Sequence, residues 1–368
     1  LRDESPLNLI MLLAIKFLGE SLMKARKTIK AKILELRKGK EELLRREYEN
    51  FQRYLHGDKS VPLYSATKQQ AERLLKRIGK PKERKEYPLI LRHDVYRART
   101  KLTQYWLKIP IHGVRGGINV PIKPHTPIAE DMVCREAKIV RRKGEWFVYI
   151  TVEAEIPEKN PSNVLAVDLG IHNTATTINS IDKKPKFYGK KLRAIRGHYF
   201  HLRRNLPNRK AVRKVGNHEK RIVNHELHEI SKAIVQEANR TNSVIVLGEL
   251  KGLRKNGNGK GRRFRRKLNS FPYYKLASFI EYKARWLGIP VLEISEAYTS
   301  QICSRCGQKG SRVRGLFTCP HCGLNLNADY NGARNILKRA LGKLHKEPLS
   351  SAGAGLTQPE LLAEAKSQ

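Results

Sequence analysis

Acidic residues are scarce in this chain. Asp and Glu number 34 against 74 Lys and Arg, so the 368 residues carry a formal net charge of +40 with histidine neutral. A folded body with that surplus repels itself unless an anionic partner absorbs it. This excludes an acidic scaffold and points to nucleic acid, whose dense phosphates release counterions on binding. A membrane surface is the weaker alternative. Long hydrophobic runs are also lacking. The longest near the start, Leu9–Ile15, stops at Lys16, whereas a spanning helix needs roughly 20 apolar residues. No small-residue cleavage site follows, so neither a membrane span nor a signal peptide is expected. The chain begins at Leu1 rather than Met, which leaves a missing natural N-terminus open. Cysteine is limited to five residues, four of them between 303 and 322 and the odd one, Cys134, alone. That is the usage of an intracellular metal site rather than of a secreted disulfide framework. Apolar side chain is not lacking: the hydrophobic share of 40% is ordinary for a globular protein. The basic surplus therefore does not mark a disordered tail, and the length suits two or three domains.

Leu9, Leu12, Leu13 and Phe17, then Leu22 and Met23, then Ile29, Ile33, Leu34 and Leu36, and finally Ala71, Leu74, Leu75 and Ile78 recur at helical spacing. They predict helices over residues 1–86. Basic residues crowd the other faces, as solvated surface or as a helical clamp on nucleic acid. From Tyr87 the texture alternates: Leu89 and Leu91, later Leu102, Tyr105, Leu107 and Ile109, then Cys134–Val140 and Glu145–Ala154 around a Lys143-Gly144 turn. This predicts a β-rich domain over 87–160, closed by a polar linker at Pro157–Ser162. From Val164 the strands "VLAVDLG", Thr174–Ile178, "SVIVLGEL" and "IPVLEIS" alternate with helices around Lys220–Ala238 and at "YYKLASFIEYKARW", the pattern of an α/β sheet. Residues 251–267 hold nine basic residues, four glycines and no acid. Arg254, Lys255, Lys260, Arg262, Arg263, Arg265 and Arg266 in that loop are candidate phosphate ligands. No internal repeat is evident, and 347–368 reads as a tail. The fold class expected is multidomain α+β.

Cys303-x2-Cys306 and Cys319-x2-Cys322 are two knuckles separated by twelve residues. Each CxxC turn brings two sulfurs to one side, and two turns complete a tetrahedral thiolate cage suited to one structural Zn²⁺. Gly307 and Gly323 follow the knuckles, where a positive φ helps turn the chain around the metal. His321 lies inside the second knuckle, but four sulfurs already complete the cage. His225 and His228 are read as helix-surface or packing residues.

Asp168 ends a strand that holds no other polar residue from Val164, and a carboxylate there is costly to ionise without a compensating cation. Glu249 repeats the arrangement after "VIVLG", and Asp329 opens the helical pattern of Ala333, Ile336, Leu337 and Ala340. Each acid alone has a solvated reading. Together they suit a divalent-metal site in which cations hold like charges together.

The segments "VLAVDLGIHNTATTIN", "SVIVLGELKGLR" and "YTSQICSRCGQKG…FTCPHCGLNLNADYNGARNIL" resemble the three RuvC motifs and zinc ribbon of the TnpB proteins. These are transposon-encoded, RNA-guided DNA endonucleases, related by descent to the type V CRISPR effectors. The resemblance spans roughly Val164–Leu341. It implies a helical recognition lobe (1–86), a β-barrel wedge (87–160), an RNase H-like (RuvC) nuclease domain in two parts (164–298 and 324–346) and a zinc ribbon between them (299–323). It implies Asp168 and Asp329 as catalytic acids holding two Mg²⁺ ions. The partners implied are a guide RNA from the transposon end and double-stranded DNA bearing a short adjacent motif, with no membrane. Pairing then reads the sequence while the protein grips the backbone, and the location implied is the prokaryotic cytoplasm, at the nucleoid.

The second motif departs from the family pattern. Relatives read acid-Asp/Asn-Leu with the catalytic Glu first; here the triplet is Gly248-Glu249-Leu250. A shift of one residue turns a strand side chain to the other face. Glu249 is taken as the third acid, on the expectation that the chain bends past the strand end, with Glu296 after "IPVLEIS" as its substitute. The leading reading is an active RNA-guided endonuclease. A nuclease-inactive guided binder acting as a repressor is the second, and a zinc-ribbon nucleic-acid binder without a guide is the third.

Overall fold

The computed structural model describes residues 21–83, 85–101, 104–249, 261 and 271–346. The helix expected at Leu9–Phe17, the seven candidate phosphate ligands of the 251–267 loop and the tail at 347–368 lie outside them. The chain divides into two compact units, one of Lys24–Glu155 and one made of the remaining segments on either side.

The first unit is built on strands β1 (Leu22–Ile33), β2 (Leu89–Leu91), β3 (Arg97–Lys101), β4 (Gln104–Ile111), β5 (Val114–Pro124), β6 (Val133–Arg142) and β7 (Glu145–Pro157), in the order β2-β6-β7-β1-β5-β4-β3. Helices α1 (Lys38–Leu55) and α2 (Ser65–Ile78) come between β1 and β2 in the chain. The helix expected across Ile29 and Ile33 is therefore a strand. A spacing of four satisfies both a helical and a two-residue period, and the residues between decide. Ala25, Ile29, Ala31 and Ile33 are buried while Arg26, Thr28, Lys30 and Lys32 are exposed, a strict alternation that only a half-buried strand explains. The sheet ends at β2 and β3, so the described strands form a curled half-barrel, the partial form of the β-barrel expected. Helix α1 buries Leu44, Tyr48, Phe51, Tyr54 and Leu55, spaced along one helical stripe.

The second unit contains a five-stranded sheet of β8 (Asn163–Asp168), β9 (Ala175–Asn179), β10 (Pro185–Tyr188), β11 (Ser243–Gly248) and β12 (Val291–Ile294), ordered β10-β9-β8-β11-β12. Strands β8, β11 and β12 run parallel, and β9 and β10 run antiparallel to their neighbours. The helices are α3 (Lys190–Arg204), α4 (Arg209–Arg240), α5 (Tyr273–Arg285) and α6 (Ala328–Lys346); β10 and α3 were not anticipated from the sequence. Alternate residues of the central strands feed two cores. Leu165, Val167, Ile245 and Leu247 pack with Leu227, Ile234, Leu276 and Ile280 of α4 and α5. Val164, Ala166, Val244 and Val246 pack with Ala333, Ile336, Leu337 and Ala340 of α6. Burial on both faces explains why these strands read as continuous apolar runs.

Three short strands, β13 (Ser311–Val313), β14 (Leu316–Thr318) and β15 (Asn325–Asn327), form the antiparallel sheet of the ribbon, which thus runs a few residues past the expected end at 323. Among the described residues no helix is long and apolar enough to cross a membrane.

Candidate active site

The four cysteine sulfurs at Cys303, Cys306, Cys319 and Cys322 lie within 4.8 Å of one another. Cys303 Sγ is 3.6 Å from Cys322 Sγ, and Cys306 Sγ is 3.5 Å from Cys319 Sγ. Both separations are far beyond a disulfide bond of about 2.05 Å. They are close to the edge of about 3.8 Å that four Zn–S bonds of about 2.3 Å give a tetrahedron. In each knuckle the glycine amide donates to the first cysteine's carbonyl, Gly307 to Cys303 and Gly323 to Cys319, both at 3.0 Å. Gly307 and Gly323 have φ of 77° and 70°, the left-handed turn for which glycine is suited. The donor set and spacing fit zinc.

Helix α6 fastens this ribbon to the sheet. Asn331 accepts from the Ser304 amide at 2.9 Å and donates to the Ile302 carbonyl at 2.8 Å. One turn on, Asn335 donates to the carbonyls of Thr299 and Ile302, both at 2.7 Å. At the start of the helix, Asn327 Oδ1 accepts from the amides of Asp329 and Tyr330 at 2.9 and 3.1 Å, as an N-cap does.

The parallel register sets the carboxyl ends of β8, β11 and β12 side by side: Val167 is opposite Leu247, and Gly248 opposite Ile294. Ligands of open α/β sheets bind at such strand ends. Asp168 ends β8. Asp329, buried in the first turn of α6, is pinned by Arg312 on Oδ1 at 2.6 Å, and by the Asn173 amide side chain and backbone on Oδ2 at 2.9 and 3.3 Å. Gly332, one turn along α6, lets the helix approach: a Cβ there would stand 2.7 Å from Asp168 Oδ2.

Glu296 supplies the third carboxyl of this cluster. Its side chain folds back over Gly248, where an added Cβ would overlap the Glu296 carboxyl. Glu249, the first residue past β11, donates its backbone N–H to the Ile294 carbonyl at 2.6 Å. Of the two glutamates, Glu296 is the one whose carboxyl occupies the space over Gly248. Burial, followed by the repulsion of Asp329, pushes the Asp168 carboxyl up to about 7 against the pull of Arg312. Burial and then Asp168 push Glu296 up to about 8. The buried Tyr273 hydroxyl, at the start of α5, is raised by burial and then by Asp168, Glu296 and Asp329, which places it among all three acids. Tyr273, Arg312 and Asn173 were not anticipated. Arg312 was hidden among the ribbon's many basic residues, and nothing in the local sequence singles out the other two.

Two predictions follow from this geometry. Cys303→Ser should release zinc and unfold the ribbon, read as metal content and as protease sensitivity within 299–327; unchanged metal content would sink the cage. For the acids, ordinary values of 3.8 and 4.5 in the unfolded chain become about 7 and about 8 in the folded one. Between those limits the folded protein holds protons that the unfolded chain has lost, so these groups favour folding most below about pH 4. That contribution falls as pH rises to about 8. Thermal midpoints of metal-free protein should therefore drop across this window more steeply in the wild type than in Asp168→Asn, and Mg²⁺ should recover them. Equal slopes in the two proteins would clear the carboxyl pair of responsibility.

The Cas12f1-like, TNB domain family matches residues 273–336. The TnpB-like protein MJ0751 of Methanocaldococcus jannaschii is 29% identical over 210 residues, covering 52% of this chain and 74% of that protein. The CRISPR-associated endodeoxyribonuclease Cas12f2 of Micrarchaeota archaeon is 30% identical over 224 residues, covering 54% of this chain and 41% of that one. Among solved structures, Cas12f1 in a cryo-EM complex with single-guide RNA and target DNA superposes with a TM-score of 0.52 at 14% identity, covering 80% of this chain and 79% of that one. At that identity the likeness is one of fold. Over about half of its length the chain is thus similar in sequence to TnpB-like and Cas12f proteins.

Proposed function

We propose that the chain is an RNA-guided DNA endonuclease that hydrolyses phosphodiester bonds at Asp168, Glu296 and Asp329. One observation carries the reading. Where the family pattern has an acid, Gly248 has no side chain, and the Glu296 carboxyl fills the vacated space beside Asp168. A site drifting out of use has no physical reason to crowd a second half-buried carboxyl against the first, since each makes the other harder to ionise. The sheet order supports an RNase H-like (RuvC) reading of this unit, with antiparallel strands on one side of β8 and parallel strands on the other. The unit Lys24–Glu155 is then the part that grips guide RNA and the target-adjacent motif. A net charge of +40 matches a partner held by its backbone while base pairing reads the sequence.

The three acids have the donor chemistry for divalent metal, although their ligand atoms do not all lie within 4.8 Å of one another as the four cysteine sulfurs do. The cluster offers oxygen donors, which suit a hard cation such as Mg²⁺. Glu296 Oε1 is buried without a hydrogen-bond partner, a costly state for a lone carboxyl oxygen. Asp168, Glu296 and Asp329 are the residues that would hold two such ions. When bound, they supply activation of the attacking water and neutralisation of charge on the leaving oxygen. The chain's own groups do the rest. Asn173 and Arg312 fix both oxygens of Asp329, and the Arg312 side chain keeps 35% of its surface exposed, leaving guanidinium N–H groups for a phosphate. The Tyr273 hydroxyl remains protonated and can donate a hydrogen bond.

The test is cleavage of a randomised-flank plasmid library by protein co-expressed with its transposon-end RNA. Asp168→Ala and Glu296→Gln should abolish cutting, whereas Glu249→Gln should stay within about tenfold of wild type, as expected for a charge outside the reacting groups. Glu296→Ala combined with Gly248→Glu should recover part of the activity, because it restores a carboxyl to the same space from the neighbouring strand. RNA-dependent DNA binding with no cutting by the wild type would instead establish a guided binder.

A further inference from the structure

A pocket of about 640 Å³ opens beside Asp329, lined among others by Phe187, Lys190, Arg193, Arg314 and Asn173. That volume lies within the range of small-ligand sites and accommodates a nucleotide. Three of these residues are cations, and a fourth, Asn173, is the one that holds Asp329. The aromatic is the unexpected member. Phe187 is 46% exposed, although its strand neighbours are engaged. Lys186 and Tyr188 both reach Glu237 of α4, at 2.7 and 3.0 Å. Alternation along β10 therefore turns Phe187 to the opposite face of the sheet.

Register fixes how far that ring is from the acids. Phe187 is paired with Thr176, and Thr176 with Asp168, so the three form one row across β10, β9 and β8. Directly opposed residues project to the same face. Two strand spacings put Phe187 about 10 Å from Asp168. A base one or two nucleotides from a phosphate at Asp168 would meet the ring. The opposite wall is equally well fixed. Arg314 has φ 48° and Gly315 φ 88°, the two left-handed residues of a tight hairpin turn, and the Ala328 amide donates to the Gly315 carbonyl at 2.9 Å. The turn that carries Arg314 is thereby tied to the helix that carries Asp329.

Resting on the endonuclease reading above, we propose that Phe187 is a positioning residue: it stacks on an unpaired base of the strand being cut, while Lys190, Arg193 and Arg314 grip the flanking phosphates. Every base has a π-face, so the ring tolerates any sequence, but a purine covers more of it than a pyrimidine. A purine at that position is therefore favoured. A paired base, stacked within a duplex, cannot lie on the ring.

The experiment uses the full chain with its copurified RNA and single-stranded oligothymidylate carrying one 2-aminopurine, moved position by position. In the Asp168→Asn background, fluorescence should be quenched at a single position, lost in the Phe187→Ala double variant and kept with Phe187→Trp. In the cutting-competent protein, Phe187→Ala should raise KM for single strands by roughly 5- to 100-fold, the range for loss of one base–aromatic stack. It should leave kcat nearly unchanged and erase the purine preference. Quenching and KM unaltered by Phe187→Ala would overturn the proposal while leaving the nuclease reading intact. If the wild type cuts nothing but quenching still depends on Phe187, the nuclease reading falls and the stacking site stands.

Discussion

Repulsion between half-buried carboxyls shapes the strand-end site of the second unit. The parallel pairing of β8, β11 and β12 collects their carboxyl ends on one edge, and an apolar core packs against each face of the paired strands. Asp168 and Glu296 then stand close in a poorly solvated space and resist ionisation together. The same strands that feed both apolar cores thus create the unit's least comfortable electrostatics. Everything around the acids moderates the strain: Arg312 and Asn173 hold Asp329, Gly332 and Gly248 make room, and the Tyr273 hydroxyl stays neutral. Such divergent titration marks functional sites more often than structural ones.

The ribbon is part of that moderation. Its hairpin carries Arg312 to Asp329, and α6 returns from the ribbon bearing Asp329 in its first turn. Asn331 and Asn335, with their four hydrogen bonds to the first knuckle, make the helix and the ribbon one mechanical piece. Cysteine ligation therefore positions the charge balance of the acid cluster without taking part in its chemistry.

How much of this was legible in the sequence depended on whether the signal was local. The cysteine knuckles, Asp168 and Asp329 could be read because spacing and strand-end position survive in one dimension. Strand β1 was misread because Ile29 and Ile33 fit two periods at once, and only the burial of Ala25 and Ala31 separates them. Sequence reasoning put Glu249 ahead of Glu296, since an absent side chain at Gly248 matters only once Ile294 is known to lie opposite it. Phe187 belongs to a strand of four residues, too short for its alternation to register, and its meaning comes from a row across three strands. Arg312 was visible as one cation among many, and its partner was not.

The order of residues along the chain has a further consequence for how the molecule is made. Asp168 is synthesised early in its unit, Glu296 much later, and Asp329 only after the whole ribbon has left the ribosome. The cluster is complete only when the last helix docks, and Asn331 and Asn335 of that helix bond the backbone of Thr299, Ile302 and Ser304 at the first knuckle. Insertion of the ribbon between Glu296 and Asp329 thus leaves the three-carboxyl cluster incomplete until nearly the whole unit has been made.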